Sequence, residues 1–216
     1  MRNWLSFALI WLLGSLTLAQ AAPFQAGKHY VVLPAPATTQ EPDKIEVAEL
    51  FWYGCGHCYT LEPIIQNWKT TLPEDVHFRQ VPALFGNLWN IHGQLFFTLE
   101  SLGKLDEVHP AIFQAIHNQS NRLDTEKAML EFVAPYGIEA DEFKRAWGSF
   151  GVRSKMGEAN RLARAYRATG VPTLIVNGKY RIEGGMVGGF EEMLKVAEFL
   201  VEQERKPTAA NTPVER

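Results

Sequence analysis

The sequence FWYGCGHC occupies residues 51–58 and contains the only two cysteines of the chain, Cys55 and Cys58. A Cys-x-x-Cys pair can be a redox-active dithiol, half of a zinc site or a structural crosslink. A crosslink that closes so short a loop stabilises the folded chain by only roughly 2 kcal/mol. A structural zinc site needs a second cluster of ligands, and the six histidines are scattered singly. The redox pair is therefore the favoured interpretation, with the metal-binding and structural alternatives left open.

The residues on either side of the cysteines predict a β-α-β unit. Residues 30–33 are a short strand candidate, and residues 45–51 are mostly apolar, as expected for a strand covered on both faces. From about Cys55 onward the apolar residues recur at spacings of three and four, which predicts a helix. These residues are Leu61, Ile64, Ile65 and Trp68. Residues 77–83 have the composition of the next strand, so a right-handed crossover is expected.

The rest of the chain divides into a helical block and a second β region. Residues 87–169 lack β signals and contain several apolar stripes with helical spacing. Residues 173–176 and 179–182 have strand composition and flank Asn177-Gly178, a dipeptide typical of a type I′ hairpin turn. Residues 191–204 have an amphipathic pattern that predicts a final helix.

The first 22 residues have the pattern of a cleavable signal peptide. Arg2 supplies a positive charge, an apolar core of about 14 residues follows, and Ala19-Gln20-Ala21-Ala22 provides a small-residue cleavage site. A membrane anchor would need ~20 consecutive apolar residues. We therefore expect an exported protein, in a compartment where disulfides persist.

The remaining composition is typical of one globular domain, or of a small domain with a large insertion. The net charge is −3 for the whole chain, and residues 1–22 contribute one arginine and no acid, so the rest carries −4. Nothing in this balance indicates nucleic-acid binding. An exported chain of this size with two cysteines does not depend on a disulfide framework, so its single pair is free to cycle.

This order of elements resembles the thioredoxin fold, which is an α/β fold, with an inserted all-helical domain. More closely, it resembles the DsbA family of bacterial periplasmic thiol:disulfide oxidoreductases. The resemblance rests on Val47-Ala48-Glu49-Leu50-Phe51 before the cysteines, on the helical block, on Gly170-Val171-Pro172-Thr173, and on residues 176–180. It implies a signal peptide at 1–22, the two halves of a thioredoxin-like domain at 23–86 and 170–205, a helical insertion at 87–169, and a flexible tail at 206–216.

The resemblance also implies a function and partners. The family members are monomers without a cofactor that oxidise reduced or unfolded exported proteins, and a membrane quinone reductase of the DsbB type reoxidises them. One departure is Gly56-His57, where most DsbA-like proteins have Pro-His. Because this dipeptide is familiar from protein disulfide isomerase, an isomerase or reductase on the same fold is the main alternative. A second departure is Gln80, where some relatives have a lysine facing the acid that matches Glu49. A metal- or peptide-binding protein with non-catalytic thiols is a third hypothesis.

The chemistry of the pair follows from its predicted position at the start of a helix. Unpaired backbone N–H groups and the helix dipole favour a thiolate at Cys55, and His57 adds a donor beside the sulfur. A stabilised thiolate is a good leaving group and makes the disulfide form oxidising. Cys58, about one turn further on, is expected to be more buried and less reactive.

Three further residues are candidates for the site. Glu49 lies in an apolar strand, so burial should raise its pKa, and it could exchange a proton with Cys58; a hydrogen-bonded carboxylate at the sheet edge is the alternative. By resemblance, Pro172 has a cis peptide bond beside the dithiol, and Val171 offers its backbone N–H and C=O to an extended substrate. Without the resemblance, Pro172 is a proline at the start of a strand.

Two groups of side chains have a structural interpretation as their default. One group could instead form an apolar rim for unfolded chains, and consists of Trp52, Tyr53, Leu88 and Trp89. The other group is interpreted as ordinary surface or core histidines, and consists of His92, His109 and His117.

Overall fold

The computed structural model describes residues 22–205. The predicted tail and the predicted signal peptide, apart from Ala22, lie outside the described residues. The strands are β1 (Val31–Val32), β2 (Ile45–Phe51), β3 (Val76–Pro82), β4 (Thr173–Val176) and β5 (Tyr180–Glu183). The helices are α1 (Gly56–Lys69), α2 (Asn87–Ser101), α3 (Leu105–Asn118), α4 (Glu126–Val133), α5 (Ala140–Trp147), α6 (Phe150–Ala165) and α7 (Phe190–Arg205).

The strands form one mixed sheet in the order β1-β5-β4-β2-β3. Strands β2 and β3 are parallel and are joined through α1, whereas the other neighbouring pairs are antiparallel. Six of the seven residues of β2 are buried, as predicted for a strand covered on both faces. Strand β3 lies at the edge, and its register places Gln80 directly beside Glu49.

The sheet has an apolar core on each face because successive side chains of a strand point to opposite sides. Ala48 and Leu50 belong to the core formed with the helical block. Val47 and Leu174 belong to the second core, which includes side chains of α1 and α7. Each fully buried aliphatic side chain contributes roughly 1.5–3 kcal/mol. Packing on both faces therefore holds the end of β2, and with it the turn that carries the cysteines.

The five helices α2–α6 lie between β3 and β4, inside the interval predicted for the helical insertion. Two of them begin with a side-chain cap. The Thr125 hydroxyl accepts a hydrogen bond from the N–H of Ala128, and the Ser149 hydroxyl accepts one from the N–H of Val152. Such caps contribute roughly 1 kcal/mol each. No helix in the stretch from residue 22 to residue 205 has the length and apolar character needed to cross a membrane.

The second β region is the predicted hairpin. Asn177 has φ 50° and Gly178 has φ 61°, the positive angles that a type I′ turn requires. At Gly178 a side chain would also collide with the backbone oxygen of Ala37, which lies 2.2 Å from the position of a Cβ atom. The turn joins β4 to β5, and α7 follows. The chain is thus ordered β-α-β, helical block, β-β-α, as the sequence predicts.

Candidate active site

Cys55 is the N-cap residue of α1. Its backbone is extended, with φ −87° and ψ 117°, and its sulfur accepts a hydrogen bond from the N–H of Cys58 at 3.3 Å. The turn before it is tight: a Cβ atom on Gly54 would lie 2.4 Å from the ring of Trp52. That ring is stacked on Trp89 at a centroid distance of 4.0 Å and cannot easily withdraw. Glycine at position 54 therefore allows the chain to turn from β2 into α1.

The two thiols have opposite environments. Cys55 is half-buried, whereas Cys58 is completely buried, and both are free in the structure. Hydrogen bonding to the Cys58 thiol is the main reason that the pKa of Cys55 falls to about 6, with backbone N–H groups adding to the effect and burial opposing it. Burial raises the pKa of Cys58 far above its ordinary value, and the charge of Glu49 raises it further. At neutral pH the exposed sulfur is a thiolate and the buried one a thiol.

His57 is exposed, and its ring approaches Phe190 at a centroid distance of 6.3 Å. Its backbone N–H and its charge both lower the pKa of Cys55, but they contribute less than the hydrogen bond from Cys58. The sequence predicts that His57 adds a donor beside the sulfur, and in the structure the Cys58 thiol is the larger influence on the pKa of Cys55.

Val171 and Pro172 lie against the first cysteine. The Cys55 sulfur lies 3.6 Å from the carbonyl oxygen of Val171, which accepts a hydrogen bond from the protonated form of this thiol, and the Val171–Pro172 peptide bond is cis. A groove of about 540 Å³ opens beside this segment. It is lined by His57, by residues 169–173 before and within β4, and by residues 183–185 and 187–190, from the end of β5 to the start of α7.

Glu49 belongs to a buried network behind the cysteines. The side-chain amide of Gln80 donates to Glu49 Oε2 at 2.8 Å and to Glu62 Oε2 at 3.0 Å. The same Glu62 oxygen lies 3.3 Å from Nε2 of His109, and the Tyr53 hydroxyl bonds to Nδ1 of His109 at 2.7 Å. Burial and the neighbouring charge of Glu62 raise the pKa of Glu49 to about 8, despite the hydrogen bond from Gln80. Glu49 therefore keeps a proton at neutral pH.

The apolar rim that the sequence leaves open as an alternative is only partly present. Tyr53 is buried, with 1% of its surface exposed, so its interpretation as a rim residue is wrong and the core interpretation holds. Trp52, Leu88 and Trp89 are half-buried beside the cysteine turn. The exposed ring of Phe85 extends this surface at a centroid distance of 5.3 Å from Trp89.

The sequence reasoning missed two members of the network, Glu62 and His109. Glu62 lies four residues after Cys58, so both side chains share one face of α1, and this spacing was a usable signal. His109 could not be found in this way because it comes from α3, about fifty residues along the chain from Glu62. Within residues 22–205, no three histidine, cysteine, aspartate or glutamate side chains are arranged to hold a metal ion.

A thioredoxin-like sheet with a helical insertion, and a Cys-x-x-Cys pair at a helix start, define a thiol:disulfide oxidoreductase. The comparisons agree: a family model described as DSBA-like thioredoxin domain matches residues 92–201. The chain belongs to the DsbA family. The thiol:disulfide interchange protein DsbA of Azotobacter vinelandii is 55% identical over 184 residues, which is 85% of this chain and 86% of that protein. The protein of the same name from Pseudomonas aeruginosa is 51% identical over 187 residues, 87% of this chain and 89% of that protein.

Solved structures agree with this assignment. The crystal structure of Pseudomonas aeruginosa DsbA has a TM-score of 0.81 and 51% identity, and the match covers 84% of this chain and 95% of that one. The oxidoreductase DsbA from Xylella fastidiosa has a TM-score of 0.79 and 32% identity, with 84% of this chain and 97% of that one covered. The predicted fold class is confirmed.

Proposed function

We propose that this protein is a periplasmic dithiol oxidase that introduces disulfide bonds into exported proteins through Cys55 and Cys58. The observation that carries the proposal is the contrast between the two sulfurs, one half-buried with a pKa lowered to about 6 and the other completely buried with a raised pKa. A pair of this kind has one sulfur that is accessible to attack and easily released, and one that is protected.

The reaction starts from the disulfide form of the pair. A substrate thiolate attacks Cys55 Sγ, the bond between the two enzyme sulfurs breaks, and Cys58 leaves and takes up a proton. A second thiolate of the substrate then attacks the substrate sulfur of the mixed disulfide and releases Cys55 as a thiolate. Two substrate thiols become one disulfide, and the enzyme disulfide becomes a dithiol. The low pKa of Cys55 favours its release, which is what makes such a pair oxidising.

Glu49 is proposed to donate the proton that Cys58 needs. It is buried, its pKa is about 8, and its charge contributes to the raised pKa of Cys58, so the two groups interact. A protonated carboxyl near a leaving thiolate can supply its proton without bringing water into the core.

Substrate binding is proposed at Val171 and Pro172. Within the described part of the chain, no backbone or side-chain acceptor takes a hydrogen bond from the Val171 N–H. An extended substrate chain could pair with this backbone by β-augmentation, which depends little on the substrate's side chains. The groove beside it, bordered by His57 and Phe190, would receive the side chains next to the reacting cysteine.

Export and partners follow from the sequence pattern and the family. The signal-peptide pattern at residues 1–22 supports a location in the periplasm, where reduced or unfolded exported proteins would be the substrates. A membrane quinone reductase of the DsbB type would return the dithiol to the disulfide form, and the enzyme would act as a monomer without a cofactor.

A disulfide isomerase or reductase is the second candidate function. The observation that favours it is Gly56, which gives the pair between the cysteines the Gly-His composition found in isomerases. Both candidates predict that the purified protein exchanges disulfides with a reduced peptide and that Cys55→Ser abolishes this activity. They differ in redox potential: equilibration with glutathione buffers should give an oxidising value for the oxidase, and a value near that of thioredoxin, about −270 mV, would favour the reductase.

A further inference from the structure

The helical insertion contributes one buried side chain to the network behind the cysteines. His109, from α3, is 2% exposed, and rings of Phe51, Phe96 and Phe113 surround it at centroid distances of 5.3, 5.9 and 5.4 Å. These rings exclude water from the imidazole. Its two nitrogens are therefore left with the protein groups that touch them.

The contacts of the imidazole fix where its hydrogen points. The Tyr53 hydroxyl lies 2.7 Å from Nδ1, and Oε2 of Glu62 lies 3.3 Å from Nε2. Among the described residues Nε2 has no aligned hydrogen-bond partner, so its contact with Glu62 is an electrostatic one at ion-pair distance. A neutral imidazole that accepts from Tyr53 at Nδ1 carries its hydrogen on Nε2, and a charged imidazole carries one on both nitrogens. In both of these states His109 places an N–H group beside Glu62.

The network contains two carboxyl groups that share a single amide donor. Gln80 donates to Oε2 of both Glu49 and Glu62, and both acids are buried, with 1% and 4% of their surfaces exposed. Two charged carboxylates in a site of low dielectric repel each other strongly, so one of them keeps a proton. Glu62 has one further donor, Gln66 at 2.5 Å, and the His109 imidazole at ion-pair distance, whereas Gln80 is the one side-chain donor that Glu49 has in the described chain.

We propose that His109 is a positioning residue for the thiol chemistry: its Nε2–H holds Glu62 as the charged carboxylate, so that the proton shared by the two buried acids stays on Glu49, beside Cys58. The helical insertion thus determines which acid is protonated behind the active site. The inference rests on the proposed function only where it connects Glu49 to turnover. The distribution of the proton can be measured on its own.

The directions of the pKa changes agree with this geometry. Burial alone would raise the pKa of Glu62, but the adjacent imidazole of His109 and its charge, together with hydrogen bonds from Gln66 and Gln80, lower it below its usual value. The other titratable groups that face the network are Tyr53, Cys55 and Cys58. Burial and the Glu62 charge raise the pKa of Tyr53 well above its usual value, so this hydroxyl stays neutral. The charge of Cys55 raises the pKa of Glu49, in the same sense as that of Glu62.

The test is a pH titration of the full protein, labelled with ¹³C at the glutamate carboxyl carbons and observed by NMR, with assignments from Glu49→Gln and Glu62→Gln. In the unaltered protein at pH 6.5, Glu62 should give the signal of a carboxylate and Glu49 that of a carboxylic acid. In His109→Leu the proton should be distributed over both acids, and Glu49 should begin to ionise at a pH lower by about one unit or more, a tenfold change in proton affinity.

Two controls separate this role from a structural one. His92→Leu removes another buried histidine of the helical block, one whose Nε2 lies 2.9 Å from the carbonyl oxygen of Arg122, and it should leave the Glu49 titration unchanged. In a Glu62→Gln background, His109→Leu should also have no effect, because no carboxylate remains to be held.

Three results would overturn the inference: a protonated Glu62 in the unaltered protein, an unchanged Glu49 titration in His109→Leu, or an equal shift in His92→Leu. If His109→Leu does not fold, the titration of the unaltered protein still decides. A catalytically inactive protein would contradict the proposed function without affecting these measurements.

Discussion

Replacing Glu49 with glutamine is expected to stabilise the reduced protein at neutral pH. In the folded chain Glu49 has a pKa of about 8, above its ordinary value of 4.5, because of burial first and the Glu62 charge second. The unfolded chain releases this proton at a lower pH than the folded chain does. Stability therefore falls as the pH rises through the interval between the two values.

The magnitude follows from the width of that interval. Over the range from 4.5 to pH 7, at about 1.4 kcal/mol for each pH unit, retaining the proton costs the folded state about 3 kcal/mol. Glutamine is neutral in both states and has a carbonyl oxygen that can still accept the hydrogen bond from Gln80. We therefore expect Glu49→Gln to be about 3 kcal/mol more stable at pH 7 and to have the same stability as the unaltered protein at pH 4.

The assay is urea unfolding of the reduced protein at several pH values, followed by circular dichroism. A matched control on the same strand is Glu46→Gln. Glu46 is equally buried but lies 3.1 Å from Nε of Arg79, so its neutralisation removes the buried partner of this guanidinium, leaves it only the more exposed Glu158, and should destabilise the protein. A stability gain in Glu49→Gln that does not depend on pH, or no gain at pH 7, would refute the reasoning.

Three other predictions concern the cysteine pair and the insertion. The rate of alkylation of Cys55 in the reduced protein should rise with pH about a midpoint near pH 6, since the pKa of this thiol is about 6. The stabilisation that the thiolate gives to the reduced form should be lost as the pH falls through this value. A midpoint near pH 9 would contradict the assigned environment. Gly56→Pro should raise the free energy of unfolding by up to about 1 kcal/mol, because the position is the first of α1 and no atom lies within 4 Å of its Cβ site. The same variant should change the equilibrium constant with glutathione. A free energy of unfolding below that of the unaltered protein would count against this prediction. Ser149→Ala should cost about 1 kcal/mol in urea unfolding without changing the reactivity of Cys55, because it removes only the cap of α6.

The distribution of elements along the chain could be predicted because it depends on local patterns. The period of the apolar residues distinguishes β2 from α1, and Asn177-Gly178 specifies its turn through the positive φ angles that both residues tolerate. The position of Cys55 at the start of a helix is also local, since it follows from where the strand pattern ends and the helical spacing begins.

The buried network could be predicted only in part. Glu49 can be identified because it interrupts the apolar residues of β2 shortly before the cysteines. For Tyr53 the sequence favours a core position but leaves an apolar rim open, since an aromatic residue beside a turn has the same sequence pattern whether its ring faces solvent or the core; the structure confirms the core position. His109 had no distinguishing signal, because a lone histidine on a helix does not reveal what lies opposite.

Residues that are close along the chain are enough to favour the redox pair and to predict the β-α-β and β-β-α halves with the helical block between them. The surroundings of the two sulfurs and the two acids depend instead on tertiary packing. Val171 reaches Cys55 across 116 positions of the chain, and His109 reaches Glu62 from a helix of the insertion. Such contacts arise when separate elements pack on one sheet, and packing, unlike periodicity, leaves no local pattern in the sequence.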